Sequence, residues 1–259
     1  MSFALAVRTL WEREVARFYR DKARLIGALT PPIVFWFVIG SGLGDAFSVP
    51  GADAGLSYLQ YFYSGTLMLI VLFTSVFSTI SVIEDRHEGF LQAVLVSPAP
   101  RLAVVLGKVL GASTVGLLQG LTFLVLAPAA GLPLDVSSFM TAAAALALGS
   151  IGLTGLGFCL AWLLDSTQGF HAVMNLFLIP MWMLSGALFP KASAPGWLKL
   201  VIAANPVTYG VSALQHALLP AHAVATGAAP LDCSFAALGL FAAGSLAASV
   251  LVASRRSNG

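Results

Sequence analysis

His87 and Glu88 stand side by side as in a zinc-protease helix, but Leu91 occupies the place of that motif's second histidine. Gly107-Lys108 resembles the end of a phosphate-binding loop. However, Leu102 stands where its first glycine is needed, and Val109 where a Ser or Thr would face magnesium. His216 and His222 could pair on a metal, yet no cysteine or acidic cluster accompanies them. No serine lies in a nucleophile elbow. The chain therefore has no visible catalytic constellation and no ATP site, and the expectation is a protein that is not an enzyme and holds neither cofactor nor metal. One polar set remains: Gln168, His171 and Asn175 recur at i, i+3, i+7 on one face of an otherwise apolar helix. Polar groups at membrane depth are costly and face a cavity or a neighbouring helix. These three are candidates for a pathway or a subunit interface.

The elements that position such residues are membrane spans. Only 9% of residues are charged and 58% are hydrophobic, and the mean hydropathy is +0.91. Soluble domains carry about 25% charge, so lipid is the solvent of this chain. Uncharged runs cover residues 25–44, 54–83, 109–134, 136–164, 166–190, 200–231 and 233–254, each long enough for the roughly 20 apolar residues of a spanning helix. The run 200–231 holds Asn205, Pro206, His216, Pro220, His222 and Pro230 and is not counted as a full span. Six transmembrane helices remain.

With six spans, all thirteen lysines and arginines except Lys191 and Lys199 fall on one side. Asp45, Asp53, Asp135 and Asp232 gather on the other. This positive-inside asymmetry puts both termini in the cytoplasm. The net charge of +2 is topological and points to no nucleic-acid partner. Cys159 and Cys233 are expected on opposite sides of the bilayer, too far apart to pair. The charged leader and the long first run suit a retained helix rather than a cleaved signal.

Residues 1–24 read as an amphipathic helix on the membrane surface. Phe3, Val7, Leu10, Trp11, Val15 and Phe18 share a face that Arg13, Arg17 and Arg20 flank, with Glu14 intruding. Residues 84–98 form a hairpin: a charged cluster, Glu84-Asp85-Arg86-His87-Glu88-Gly89, then the apolar turn 90–96, then a Ser-Pro-Ala-Pro stop. A solvated loop has little reason to mix acids, bases and an apolar helix; a docking element for a cytoplasmic partner does. Gly107, Gly111, Gly116 and Gly120 in the third span, and Gly149, Gly152, Gly155 and Gly157 in the fourth, predict close helix contacts within the subunit. Residues 190–232 read as short re-entrant or interfacial helices broken at Asn205-Pro206.

In this order the elements resemble the type-2 permeases of ABC transporters. Residues 84–108 are similar to that family's coupling segment, and Asn205-Pro206-Val207-Thr208-Tyr209 is similar to its Asn-Pro-Leu-Thr-Tyr element. Ser212 and Gln215 stand where acidic and basic residues often follow it. The resemblance covers nearly the whole of 1–259 as a single transmembrane permease domain. It implies an all-α integral membrane exporter subunit of the cell (inner or plasma) membrane. Two copies, identical or related, would form the pathway, and separate ATP-binding subunits would bind and hydrolyse the ATP. It also implies that the coupling helix docks on the ATPase together with the leader, through Glu84, Asp85, Arg86, Glu88, Gly89, Phe90, Arg13 and Arg17. An ion-coupled secondary transporter is the alternative, in which the polar stripe of the fifth span would carry the ion.

Overall fold

The computed structural model describes residues 2–20, 22–42, 56–96 and 100–255; within α2, α5 and α11 the side chains of residues 22–25, 27–29, 95 and 255 are not described. Among the described residues there is no strand. The helices are α1 (Phe3–Arg20), α2 (Lys22–Gly42), α3 (Tyr58–Ser78), α4 (Ile80–His87), α5 (Phe90–Val96) and α6 (Arg101–Leu124), followed by α7 (Val136–Leu163), α8 (Thr167–Trp182), α9 (Gly196–Ala204), α10 (Pro206–Leu218) and α11 (Leu231–Arg255). The expected loop around Asp45 and Asp53, the stop at Ser97-Pro98-Ala99 and the end of the basic tail at Arg256 lie outside the described residues.

The chain is an all-α integral membrane protein. Among the described residues, five helical stretches are long and apolar enough to cross a bilayer: Tyr58–His87, Arg101–Leu124, Val136–Leu163, Thr167–Ala187 and Leu231–Ser254. Six spans were expected. The helix in the first position, α2, is 21 residues long, and its stretch Thr30–Gly42 is apolar. It contains Pro31 and Pro32, each of which removes a backbone donor.

The hub is α3. It is apolar all round, and such a helix belongs inside a bundle; Tyr61, Phe62, Tyr63, Leu67, Ile70, Val71 and Leu72 are fully buried. Around it pack α2, α6, α7, α8 and α10. Trp36 of α2 donates Nε1–H to the Leu59 carbonyl at 2.9 Å and meets Tyr63 and Phe123 edge-on, which ties α2 to α3 and α6. Helix α11 packs against α7. Gly152 and Gly155 leave room there, since a Cβ on either would lie within 2.6 Å of Phe241 or Ser245 side-chain atoms. The expected reading of the glycines as close contacts within the subunit agrees with this geometry.

Within residues 190–232, α9 and α10 are short helices separated by Asn205.

Candidate functional site

Helix α1 seats on α6. Its buried residues are Ala6, Leu10, Glu14 and Phe18, one face at i, i+4 spacing, whereas Phe3 of the expected apolar face is exposed. The seat is the Gly107/Gly111 pair. A Cβ on Gly107 would lie 2.6 Å from Leu10 Cβ, and one on Gly111 2.6 Å from Glu14 Cβ. Trp11 adds an Nε1–H bond to Thr114 Oγ1 at 3.0 Å. Gly111→Leu overpacks this seam, at about 1–3 kcal/mol, and is expected to unseat α1. A cysteine placed at Ala6, in a chain lacking Cys159 and Cys233, should resist maleimide in the parent and react in the variant. Equal protection in both would exclude the seat.

The intruding Glu14 has a partner. Lys108 Nζ contacts Glu14 Oε1 at 2.8 Å and Asp85 Oδ2 at 2.5 Å, while Ser81 Oγ–H donates to Glu14 Oε2 at 2.7 Å. Arg13 grips Asp85 with both terminal nitrogens, Nη1 and Nη2, at 2.8 and 2.7 Å. Arg17 bridges Asp85 at 2.9 Å and Glu84 at 2.8 Å. Asp85 is 0% exposed and Lys108 2%. Three helices thus meet in one charge-matched cluster of Arg13, Arg17 and Lys108 against Glu14, Glu84 and Asp85. The hydrogen bond to the Asp85 carboxylate holds the Arg13 guanidinium more basic than usual, and its face lies 3.7 Å from the Phe90 ring centroid. Gly107-Lys108, which looked like part of a phosphate loop, is a helix seam and a buried cation.

Of the eight candidate docking residues, the structure brings Arg13, Arg17, Glu84, Asp85 and Phe90 together inside this cluster and its edge. Glu88 is 60% exposed. Gly89 turns the chain into α5 at φ +77°, a conformation cheap only for glycine. On α5, Leu91 is buried while Gln92, Ala93 and Val96 are exposed. The exposed faces of α1 and the hairpin meet in a shallow hollow lined by Arg13, Ala16, Arg17, Arg20 and Glu88.

Arg86 turns the other way. Its Nη2–H donates to the Trp162 carbonyl at 2.8 Å, and its Nη1–H to the Leu164 carbonyl at 3.1 Å and Asp165 Oδ1 at 2.5 Å. His87 Nε2–H donates to the Asp165 carbonyl at 2.7 Å.

On α8, Gln168, His171 and Asn175 are all exposed, beside the exposed Leu176 and Phe177. His171 stacks on Phe77, with ring centroids 5.0 Å apart. It lines a half-open apolar cavity of about 920 Å³ bordered by residues of α1, α2, α3, α4 and α8, with Phe35, Phe73, Phe77 and Trp182 in its walls.

The far end of α8 breaks at Met183–Ala187, where Gly186 has φ +82°. The broken turn is satisfied by side chains from elsewhere. Tyr61 O–H donates to the Gly186 carbonyl at 2.5 Å and Tyr58 O–H to the Leu188 carbonyl at 2.9 Å. Asn205 Nδ2–H donates to the Met181 and Leu184 carbonyls at 2.5 and 3.0 Å, and its Oδ1 caps α10 by accepting from Val207 N–H at 3.0 Å. Thr208 and Tyr209 hydroxyls donate to the Ile202 and Ala203 carbonyls near the end of α9. Ser212 accepts from Ala229 N–H, and Gln215 Oε1 from the Thr226 hydroxyl. Each polar residue of the Asn-Pro-Val-Thr-Tyr element thus hydrogen-bonds a backbone group at the broken turn or at a helix end.

These features define a multi-pass transport permease. The ABC-2 type transporter family profile matches residues 6–219, and the chain belongs to that family. It is 26% identical over 208 residues to the transport permease ycf38 of Cyanophora paradoxa, covering 80% of this chain and 71% of that one. It is 27% identical over 207 residues to Nodulation protein J of Rhizobium meliloti, covering 79% and 78%. A transport permease of this kind is in general not itself an enzyme.

Proposed function

We propose that this chain is the membrane-spanning half of an ATP-driven exporter in the cell (inner or plasma) membrane, working as a homodimer or heterodimer with separate ATP-binding subunits. Both termini, α1 and the α4–α5 hairpin face the cytoplasm, and α2 completes the sixth crossing. The observation that carries this reading is a rigidly held helix end with a free outer face. The hairpin is braced by a buried ion cluster, yet Glu88, Gln92, Ala93 and Val96 stand exposed beside Arg20. A loop with no partner would need no such brace.

The docking surface is therefore Glu88, Gly89 and the outer side of α5, with Arg20 and the outer edges of Arg13 and Arg17. Asp85 and Glu84 hold α1 in place behind it. The polar stripe of α8 fits the same scheme. Gln168, His171 and Asn175 face outward from one subunit, and a second copy or a hydrated path between copies shields them from lipid. ATP is bound by the partner, and this chain carries no cofactor of its own.

The test is a mild-detergent purification of the tagged chain from its host. A stoichiometric companion carrying a phosphate-binding loop is expected. Glu88→Lys should weaken or release it while leaving membrane insertion intact. Recovery of the chain alone under several detergents would instead favour an ion-coupled transporter centred on His171.

A further inference from the structure

The four residues Glu84-Asp85-Arg86-His87 divide between two partners. The acids hold α1, through Arg13 and Arg17. The bases hold the turn between α7 and α8. We propose that Arg86 is the positioning residue that passes movement of the coupling hairpin to α8, and so to the stripe Gln168, His171 and Asn175. This rests on the ATP-coupled reading above.

The argument begins with the end of α7. The last carbonyls of a helix have no partner within it, and Arg86 closes two near this end, those of Trp162 and Leu164. A cation is favoured at that pole. The guanidinium also lies over the Trp162 ring, 5.8 Å from its centroid. From Leu164 the chain needs only Asp165 and Ser166 to reach α8, which Ser166 caps by accepting from Gly169 N–H at 3.2 Å.

The connection is short, it contains no glycine, and Arg86 and His87 fix its near side. A displaced α4 therefore displaces the start of α8. Two carbonyls and a carboxylate call for a planar fork of donors; an ammonium is a point charge and cannot reproduce that reach. The pair with Asp165 is the weaker part, since Asp165 is 70% exposed and exposed ion pairs contribute little. The carbonyl bonds carry the connection.

The experiment uses the complex of the full chain with its ATPase. A cysteine replaces Asn175, with Cys159 and Cys233 changed to alanine, and its maleimide labelling is compared with and without ATP plus vanadate. In the parent, nucleotide trapping is expected to change the labelling rate. In Arg86→Gln that change is lost, although the ATPase still co-purifies and hydrolyses ATP. Arg86→Lys should behave like Arg86→Gln, and Asp165→Asn like the parent. If Arg86→Gln does not accumulate, Arg86→Lys decides.

A nucleotide-dependent change that survives in both Arg86 variants would overturn the proposal. So would loss of the ATPase from them, which would place Arg86 in the docking surface instead. If the parent itself recovers no ATPase, the ATP-coupled reading has failed, and this proposal with it.

Discussion

Replacing Lys108 by methionine is expected to lower stability by about 3–5 kcal/mol, the usual cost of removing one member of a buried ion set and leaving the others uncompensated. Lys108 is the cation that both Glu14 and Asp85 reach from opposite sides. Without it, two buried carboxylates share Arg13 and Arg17, which lie toward the surface. The thermal midpoint of the detergent-solubilised protein should fall, and trypsin should cut α1 at Arg13 or Arg17 under conditions that spare the parent. Glu14→Gln in the same chain removes one of the stranded charges. The double variant should therefore be less destabilised than the sum of the two single variants, as interacting neighbours require. Strict additivity would mean that the two groups do not act as a unit.

Asn205→Leu is the corresponding change at the opposite end of the bundle, with an expected cost of about 2–4 kcal/mol. The side chain caps α10, and losing such a cap costs about 1 kcal/mol. It also supplies both protons for the Met181 and Leu184 carbonyls, and an unsatisfied buried acceptor costs about 1–3 kcal/mol. Asn205→Asp separates the two roles. The carboxylate can still accept from Val207 N–H but cannot donate to the carbonyls of the broken turn. It should therefore fail to rescue, with a lowered thermal midpoint and faster proteolysis between residues 183 and 205. Parent-like behaviour of the aspartate variant would show that the cap alone matters.

Much of this architecture could be read from the residues. Uncharged runs bounded by single acids and bases marked the long helices, because a hydrocarbon core tolerates little else. Asn205-Pro206 marked the break between α9 and α10, because proline suits a first helical turn and asparagine a cap. The hairpin helix was visible in its switch from charge to an apolar turn. The role of Glu14 was not. It read as a flaw in an amphipathic face because its partner Lys108 lies 94 residues away, beyond any helical period. The division of Glu84–His87 was hidden for the same reason, since Asp165 is 79 residues from Arg86. Among the described residues five of the six expected spans are long and apolar enough to cross, and the remaining one falls on α2. The breadth of the α8 stripe was legible, but that it faces outward from one subunit depends on which side of α8 meets α3.

The seat of α1 also imposes an order on assembly. A chain is made from its N-terminus, at about 5–20 residues per second, so α1 is complete well before the glycine groove and Lys108 exist. Through that interval Glu14 has no cation from α6, and Arg13 and Arg17 have no Asp85. Helix α1 can settle into this cluster only when α4 and α6 have been made. A nascent chain halted before Gly107 should leave α1 open to reagents, and one extended past Gly111 should close it. The part of this cluster that is synthesised first is thus the last to find its place.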